Sequence, residues 1–311
     1  MSQVCCLGIL VADVVGKTIE AFPPKGTLAA VERMELHVGG CAASTGLALA
    51  KLGVETAILG KIGDDGFGRF LTGNLESHGI GTRGLVRDAV EATSATMVAV
   101  DGAGERTFLH YAGANAVYTA SDVFWPEIEV APLLHIAGPF LMPRYMGADN
   151  AAVLKQAKAL GKTTTLDTVW DATGRWMSVL APCLPHLDFI LPSWEEARLL
   201  TGRETPEDIA QVFLDGGAKA VGLKLGAEGA YLRTAAGDEL RVPPFPVEAV
   251  DALGAGDCWA AGFLCGLVRG WDLERTARFA NAAGACAVQA LGATTGIRSF
   301  EATYALAFGT S

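Results

Sequence analysis

Charge is scarce in this chain, and the balance has the wrong sign for nucleic acid. Only 19% of residues are Asp, Glu, Lys or Arg, and the formal net charge is −10. A nucleic-acid partner needs a basic face, so none is expected. A small phosphorylated ligand is not excluded, because a few local groups and a divalent ion can balance it. No apolar run reaches the roughly 18–20 residues of a membrane span, and Pro, Gly or charge interrupts every candidate. The apolar start, Met1 to Gly16, has no positive charge ahead of its hydrophobic part, so neither a secretory leader nor a membrane role is expected. The five histidines are scattered without zinc-ligand spacing, and Cys5-Cys6 is too tight for a site. The seven cysteines are odd in number and lie in hydrophobic segments, which reads as reduced thiols in a cytoplasmic protein.

Two nucleotide-binding signatures are also missing. Gly16-Lys17-Thr18 and Gly161-Lys162-Thr163 look like the end of a P-loop, but that loop needs a glycine five positions before its last Gly. The chain has Val11 and Gln156 there. No Gly-x-Gly-x-x-Gly opens the first helix, so a dinucleotide-binding oxidoreductase loses its main support.

What the chain has in abundance is apolar residues, half of all 311, enough for one large domain with an appendage. Strand-like and helix-like segments alternate: Val4–Val11 reads as a first buried strand, Cys41–Leu52 as a helix, Thr56–Ile62 as a strand and Phe67–Ser77 as a helix. From Leu133 the rhythm continues, with strands at 133–137, 163–166, 189–191 and 220–225 and helices at 148–160, 194–201 and 206–215. A hairpin over 231–242 and a long helix over 273–291 follow. Such alternation implies a mostly parallel sheet covered on both faces, with ligands beyond the carboxyl ends of the strands. Two islands depart from it. Residues 14–38 and 92–113 have alternating stretches and glycine-rich turns, and they suggest one inserted β-sheet acting as a lid.

The densest chemistry lies at Asp251-Ala252-Leu253-Gly254-Ala255-Gly256-Asp257, followed by eleven apolar or small residues, Cys258 to Val268. An apolar run of that length reads as a buried helix. Its first turn then presents unpartnered N–H groups that attract an anion, and the glycines let a phosphate approach. Asp257 is open to two readings, an ordinary helix-start carboxylate or a reacting group.

This stretch resembles the Asp-Thr-x-Gly-Ala-Gly-Asp motif of the ribokinase-like (PfkB) carbohydrate kinases. Gly39-Gly40-Cys41-Ala42-Ala43-Ser44 resembles that family's Gly-Gly-x-x-x-Asn motif, and the resemblance covers nearly the whole chain, 1–311, as one kinase domain. It implies a three-layer α/β/α sandwich with a small β lid, ATP and Mg²⁺ as cofactors, and phosphorylation of a hydroxyl on a sugar or related polyol. By the same resemblance Asp257 is the base, and Gly254, Ala255 and Gly256 form the anion hole. Asp13, Gly39, Gly40 and Ser44 contact the substrate, and Lys224, Gly226, Gly229 and Asn281 serve the nucleotide. Glu196 serves Mg²⁺ through water, and Asp251 is a candidate ligand of a monovalent cation, K⁺. A homodimer through the lid is a further expectation. Departures from the family pattern are Ser44 and Ser193 in place of Asn and Ala252 in place of Thr. A nucleoside kinase and a non-catalytic sugar- or nucleotide-binding protein of the same fold are the alternatives.

Overall fold

The computed structural model describes residues 1–309. Its frame is a nine-stranded sheet ordered β13-β12-β11-β10-β9-β8-β1-β4-β5. In chain order these strands are β1 (Val4–Gly8), β4 (Thr56–Gly63), β5 (Gly81–Asp88), β8 (Leu133–Ala137), β9 (Thr163–Asp167), β10 (Phe189–Ile190), β11 (Ala220–Lys224), β12 (Ala230–Thr234) and β13 (Glu239–Val242). Pairing is parallel from β5 through β11, and β12 and β13 add an antiparallel edge.

Alternation along β1 and the two residues after it shows why the sheet needs two covers. Cys5, Leu7 and Ile9 join a core cluster with Val153, Leu154, Ala197, Ile209 and Phe213, from helices Ala148–Ala159, Trp194–Thr201 and Pro206–Asp215. Val4, Cys6 and Leu10 join the opposite cluster, with Ala43, Leu71, Cys258, Leu264 and Phe279. Those come from helices Cys41–Lys51, Gly66–Ser77, Ala255–Val268 and Leu273–Ala287. Period-2 strands send alternate residues to opposite faces, and each fully buried Leu, Ile or Phe contributes about 1.5–3 kcal/mol. The three-layer sandwich expected from the sequence is therefore present. On the second face the two long helices lie close because small residues meet: a Cβ at Gly262 would stand 2.8 Å from both Ala280 Cα and Ala283 Cβ. That close packing fixes the start of the Ala255–Val268 helix against the sheet.

A second sheet of four strands is separate from the first, ordered β3-β2-β6-β7. Its members are β2 (Val11–Lys17), β3 (Arg33–Gly39), β6 (Ala95–Val100) and β7 (Arg106–Tyr111). Both strand-rich islands contribute to it. The apolar run Val4–Val11 is not one strand: β1 ends at Gly8, and β2, which carries Asp13, belongs to the other sheet. Residues 18–32 hold no strand, and the long helix stops at Ala287. β5 and a terminal helix, Phe300–Phe308, complete the described chain.

Candidate active site

The Ala255–Val268 helix begins in a glycine turn. Gly254 has φ 71°, a left-handed conformation that L side chains avoid, and a Cβ there would collide with the Ala293 carbonyl oxygen. No side chain caps this helix, so Asp257, in its first turn, is not used as a cap. Its carboxyl is left for other work. The N–H groups of this turn have no intrahelical acceptor.

A cavity of about 170 Å³ opens at this point, lined by Cys41, Asp167, Thr168, Val169, Ser193, Glu196, Lys224, Gly254, Gly256 and Asp257. Asp167 and Lys224 end β9 and β11, so the cavity lies at the carboxyl edge of the parallel sheet, where such folds bind ligands. Three helices begin there as well: Cys41–Lys51, Trp194–Thr201 and Ala255–Val268. Each N-terminus carries about half a positive charge. Their convergence gives one wall of the cavity a positive potential.

Lys224 adds a full charge. Its Nζ donates to both Asp167 oxygens, at 2.6 and 2.7 Å, and stands 3.3 Å from where a Cβ on Gly256 would be. Burial works against the Lys224 charge, but the carboxylates of Asp167, Glu196 and Asp257 outweigh it and raise its pKa. Glu196 is the third residue of the Trp194–Thr201 helix and forms a reciprocal cap with Ser193. Its Oε2 also accepts from Thr168 Oγ1 at 2.6 Å. Ser193, where the family pattern has Asn, thus serves as the cap of this helix. Asp257 is pushed up to about 6 by loss of water around its carboxyl, while Lys224 and the Cys41 thiol pull it down. Three carboxylates face one ammonium, an arrangement that favours a further cation. Among the described residues no cluster of three or more His, Cys, Asp or Glu forms a metal cage. Mg²⁺ keeps several waters and takes one or two carboxylates plus phosphate oxygens, and the Glu196 and Asp257 carboxylates of the cavity are donors of that kind.

The Gly39-Gly40 turn joins this cavity to the smaller sheet. A Cβ at Gly39 would collide with the Asp13 carboxylate, and one at Gly40 with the Ile9–Leu10 backbone. Asp13 therefore lies against the turn that leads into Cys41. Strand register aligns His37, Asp13, Thr96 and His110 in one row across β3, β2, β6 and β7, on one face. Thr96 Oγ1 and His110 Nδ1 are 3.0 Å apart. Asp13 is raised to about 6 by burial, opposed by a hydrogen bond from Thr96. Ser44 is buried one helical turn into Cys41–Lys51.

Other candidates lie apart from the cavity lining. Gly226 and Gly229 bracket a short turn one residue beyond Lys224, both at positive φ. The Asn281 amide is fully used: Oδ1 accepts from Trp259 Nε1 at 2.7 Å, and Nδ2 donates to the carbonyls of Val242 and Pro243. Asp251 is buried and paired with Arg106. Away from the site, Asp65 caps the Gly66–Ser77 helix through the Gly68 N–H and also holds Thr93. Reading by motif missed Asp167, Thr168, Thr96, His110 and Arg106. Of these only Asp167, at the end of an expected strand, carried a local signal.

Comparison with known proteins places the sequence and the fold. Residues 1–299 match the model for the pfkB family carbohydrate kinases. The chain is 28% identical to the 2-dehydro-3-deoxygluconokinase of Bacillus subtilis, covering 89% of this chain and 88% of that one. It is 30% identical to an uncharacterized sugar kinase of Archaeoglobus fulgidus, over 81% of this chain and 98% of that one. The crystal structure of a Thermotoga maritima ribokinase superposes with a TM-score of 0.83 at 26% identity, over 98% of this chain and 99% of that one. An Escherichia coli protein provisionally called ribokinase II, solved with ATP and Mg²⁺, gives 0.83 at 26% identity over the same shares. The family match over residues 1–299 and the shared fold show that the chain belongs to the pfkB family of carbohydrate kinases.

Proposed function

We propose that the protein transfers the γ-phosphoryl group of ATP to a hydroxyl of a sugar or sugar-like polyol, with Asp257 as the base. The observation that carries this reading is the convergence of three helix N-termini, Lys224 and an uncapped Asp257 on one cavity. Phosphoryl transfer is catalysed mainly by positioning and by stabilising spread negative charge. The Gly256 and Asp257 N–H groups and Lys224 supply that positive potential. Asp257 takes the hydroxyl proton, and its raised pKa brings it nearer the working pH, as base catalysis favours. Mg²⁺, when bound, neutralises phosphate charge, and Glu196 is the residue to hold it, through water.

The row His37, Asp13, Thr96 and His110 supplies hydroxyl-binding groups on the smaller sheet, which acts as the lid that excludes water. Asp13→Ala is expected to leave substrate hydroxyls unpaired at a cost of about 1–3 kcal/mol, falling chiefly on KM. An unchanged KM for the true substrate would remove Asp13 from the binding site. The opposite face of this sheet leaves Met34, Leu109 and Tyr111 about half exposed, which supports a second copy covering it; light scattering reads the mass directly. The seven free thiols suit a reducing cytoplasm.

An ADP-release screen over sugars, sugar acids and nucleosides tests the whole reading. Turnover restricted to sugars or sugar acids is expected. Turnover of nucleosides alone would move the protein to the nucleoside kinases, and binding without turnover would make it a non-catalytic binder.

A further inference from the structure

The pfkB resemblance suggests a monovalent cation at Asp251, and the residues present do not fit one. Such an ion needs several oxygens with free lone pairs to replace its water. Asp251 Oδ1 already accepts from the Leu253 N–H at 2.9 Å, and Oδ2 from the Gly292 N–H at 2.9 Å. Oδ2 also pairs with Arg106 Nη2 at 2.7 Å. Carbonyls in this part of the chain also carry donors. Val288 O accepts the N–H groups of Val250 and Asp251, Thr294 O accepts Lys51 Nζ at 2.7 Å, and Ala293 O accepts the Cys258 thiol.

Arg106 comes from a distant part of the chain. It opens β7, and its register through Val100 and Lys17 puts it on the same face of the smaller sheet as Asp13, Thr96 and His110. From there it reaches a carboxylate three residues ahead of Gly254. Burial would push the Asp251 carboxyl up, but the hydrogen bond from Arg106, followed by those from Gly292 and Leu253, holds it below the usual range.

We propose that the Arg106 guanidinium is the built-in cation of this loop: it neutralises Asp251 and fixes residues 251–254, so that phosphoryl transfer needs no monovalent ion. This rests on the kinase reading for its catalytic consequence, though not for its structural one. The Arg106 side chain pairs with Asp251. It is a positioning residue that ties the smaller sheet to the turn before the Ala255–Val268 helix.

The test compares the whole chain in KCl and in choline chloride of equal ionic strength, as wild type, Arg106→Met and Arg106→Lys. Melting temperature is read beside ATP-dependent turnover. Wild type and Arg106→Lys are expected to melt at the same temperature and turn over equally in both salts. Arg106→Met is expected to lose at least about tenfold in kcat/KM in choline, as when one partner of a buried charge pair is removed. KCl is expected to recover most of that loss and to raise its melting temperature by about 2 °C or more. A potassium-dependent melting temperature in the wild type or in Arg106→Lys would overturn the proposal. So would an Arg106→Met protein indifferent to potassium. If Arg106→Met folds in neither salt, the other two proteins still decide. Wild type without turnover in either salt would instead defeat the kinase reading, and the melting comparison would stand.

Discussion

Asp257→Asn is expected to lower kcat by at least about 10²–10⁴-fold, the loss typical of a removed general base, while the protein melts at the same temperature or higher. The amide keeps the shape of the carboxyl but accepts no proton. Stability should not suffer, because this helix start uses no side-chain cap and the variant relieves a carboxylate that burial disfavours. ATP binding should persist, since Lys224 and the backbone N–H groups remain. The same base predicts a pH profile. Its pKa is raised to about 6, so the proton-accepting form is lost as pH falls through that value, and kcat/KM should fall with it. Asp257→Asn should remove that limb from whatever activity is left. Turnover near wild type, with the limb intact, would assign the proton transfer elsewhere.

How far the chain could be read without coordinates depended on whether the physics was local. The Cys258–Val268 run is apolar on every side because the helix is covered by the sheet and by Leu273–Ala287, so its course and the buried turn before it were both legible. The Val4–Val11 run misled for a related reason. The chain passes from one sheet to the other while buried throughout, and hydrophobicity does not mark the step at Ile9-Leu10. β5 escaped notice because it is the edge strand, and Arg83 and Arg87 interrupt its apolar pattern. The glycine turns gave away Gly254 and Gly39, whose missing side chains are required by nearby backbone and by Asp13. Asn281 was placed by analogy, yet its amide is consumed in holding Trp259 and the 242–243 carbonyls. Arg106 and Asp251 lie so far apart in sequence that no spacing could announce them. Asp167 and Lys224, 57 residues apart, meet only because β9 and β11 flank β10 and end at one edge.

That last pair gives the largest expected change in stability. Lys224→Met is expected to destabilise the fold by about 3–5 kcal/mol, the cost of leaving one member of a buried ion pair uncompensated. Asp167 is 2% exposed and Lys224 9%, so the lost ammonium leaves a carboxylate with little solvation. Met keeps the aliphatic volume, which separates the charge effect from a cavity. The penalty should depend on pH in a stated direction. Burial raises the Asp167 pKa, and removing Lys224 raises it further. A group raised in the folded state contributes stability below its unfolded value and loses it as pH climbs. The deficit of Lys224→Met, read from denaturant midpoints, should therefore be smaller near pH 5 than near pH 8. Adding Asp167→Asn removes the stranded charge and should recover most of the stability, but not the turnover, because the ammonium proposed to meet the phosphate is still gone. Two losses that add, rather than cancel, would show that the residues act independently.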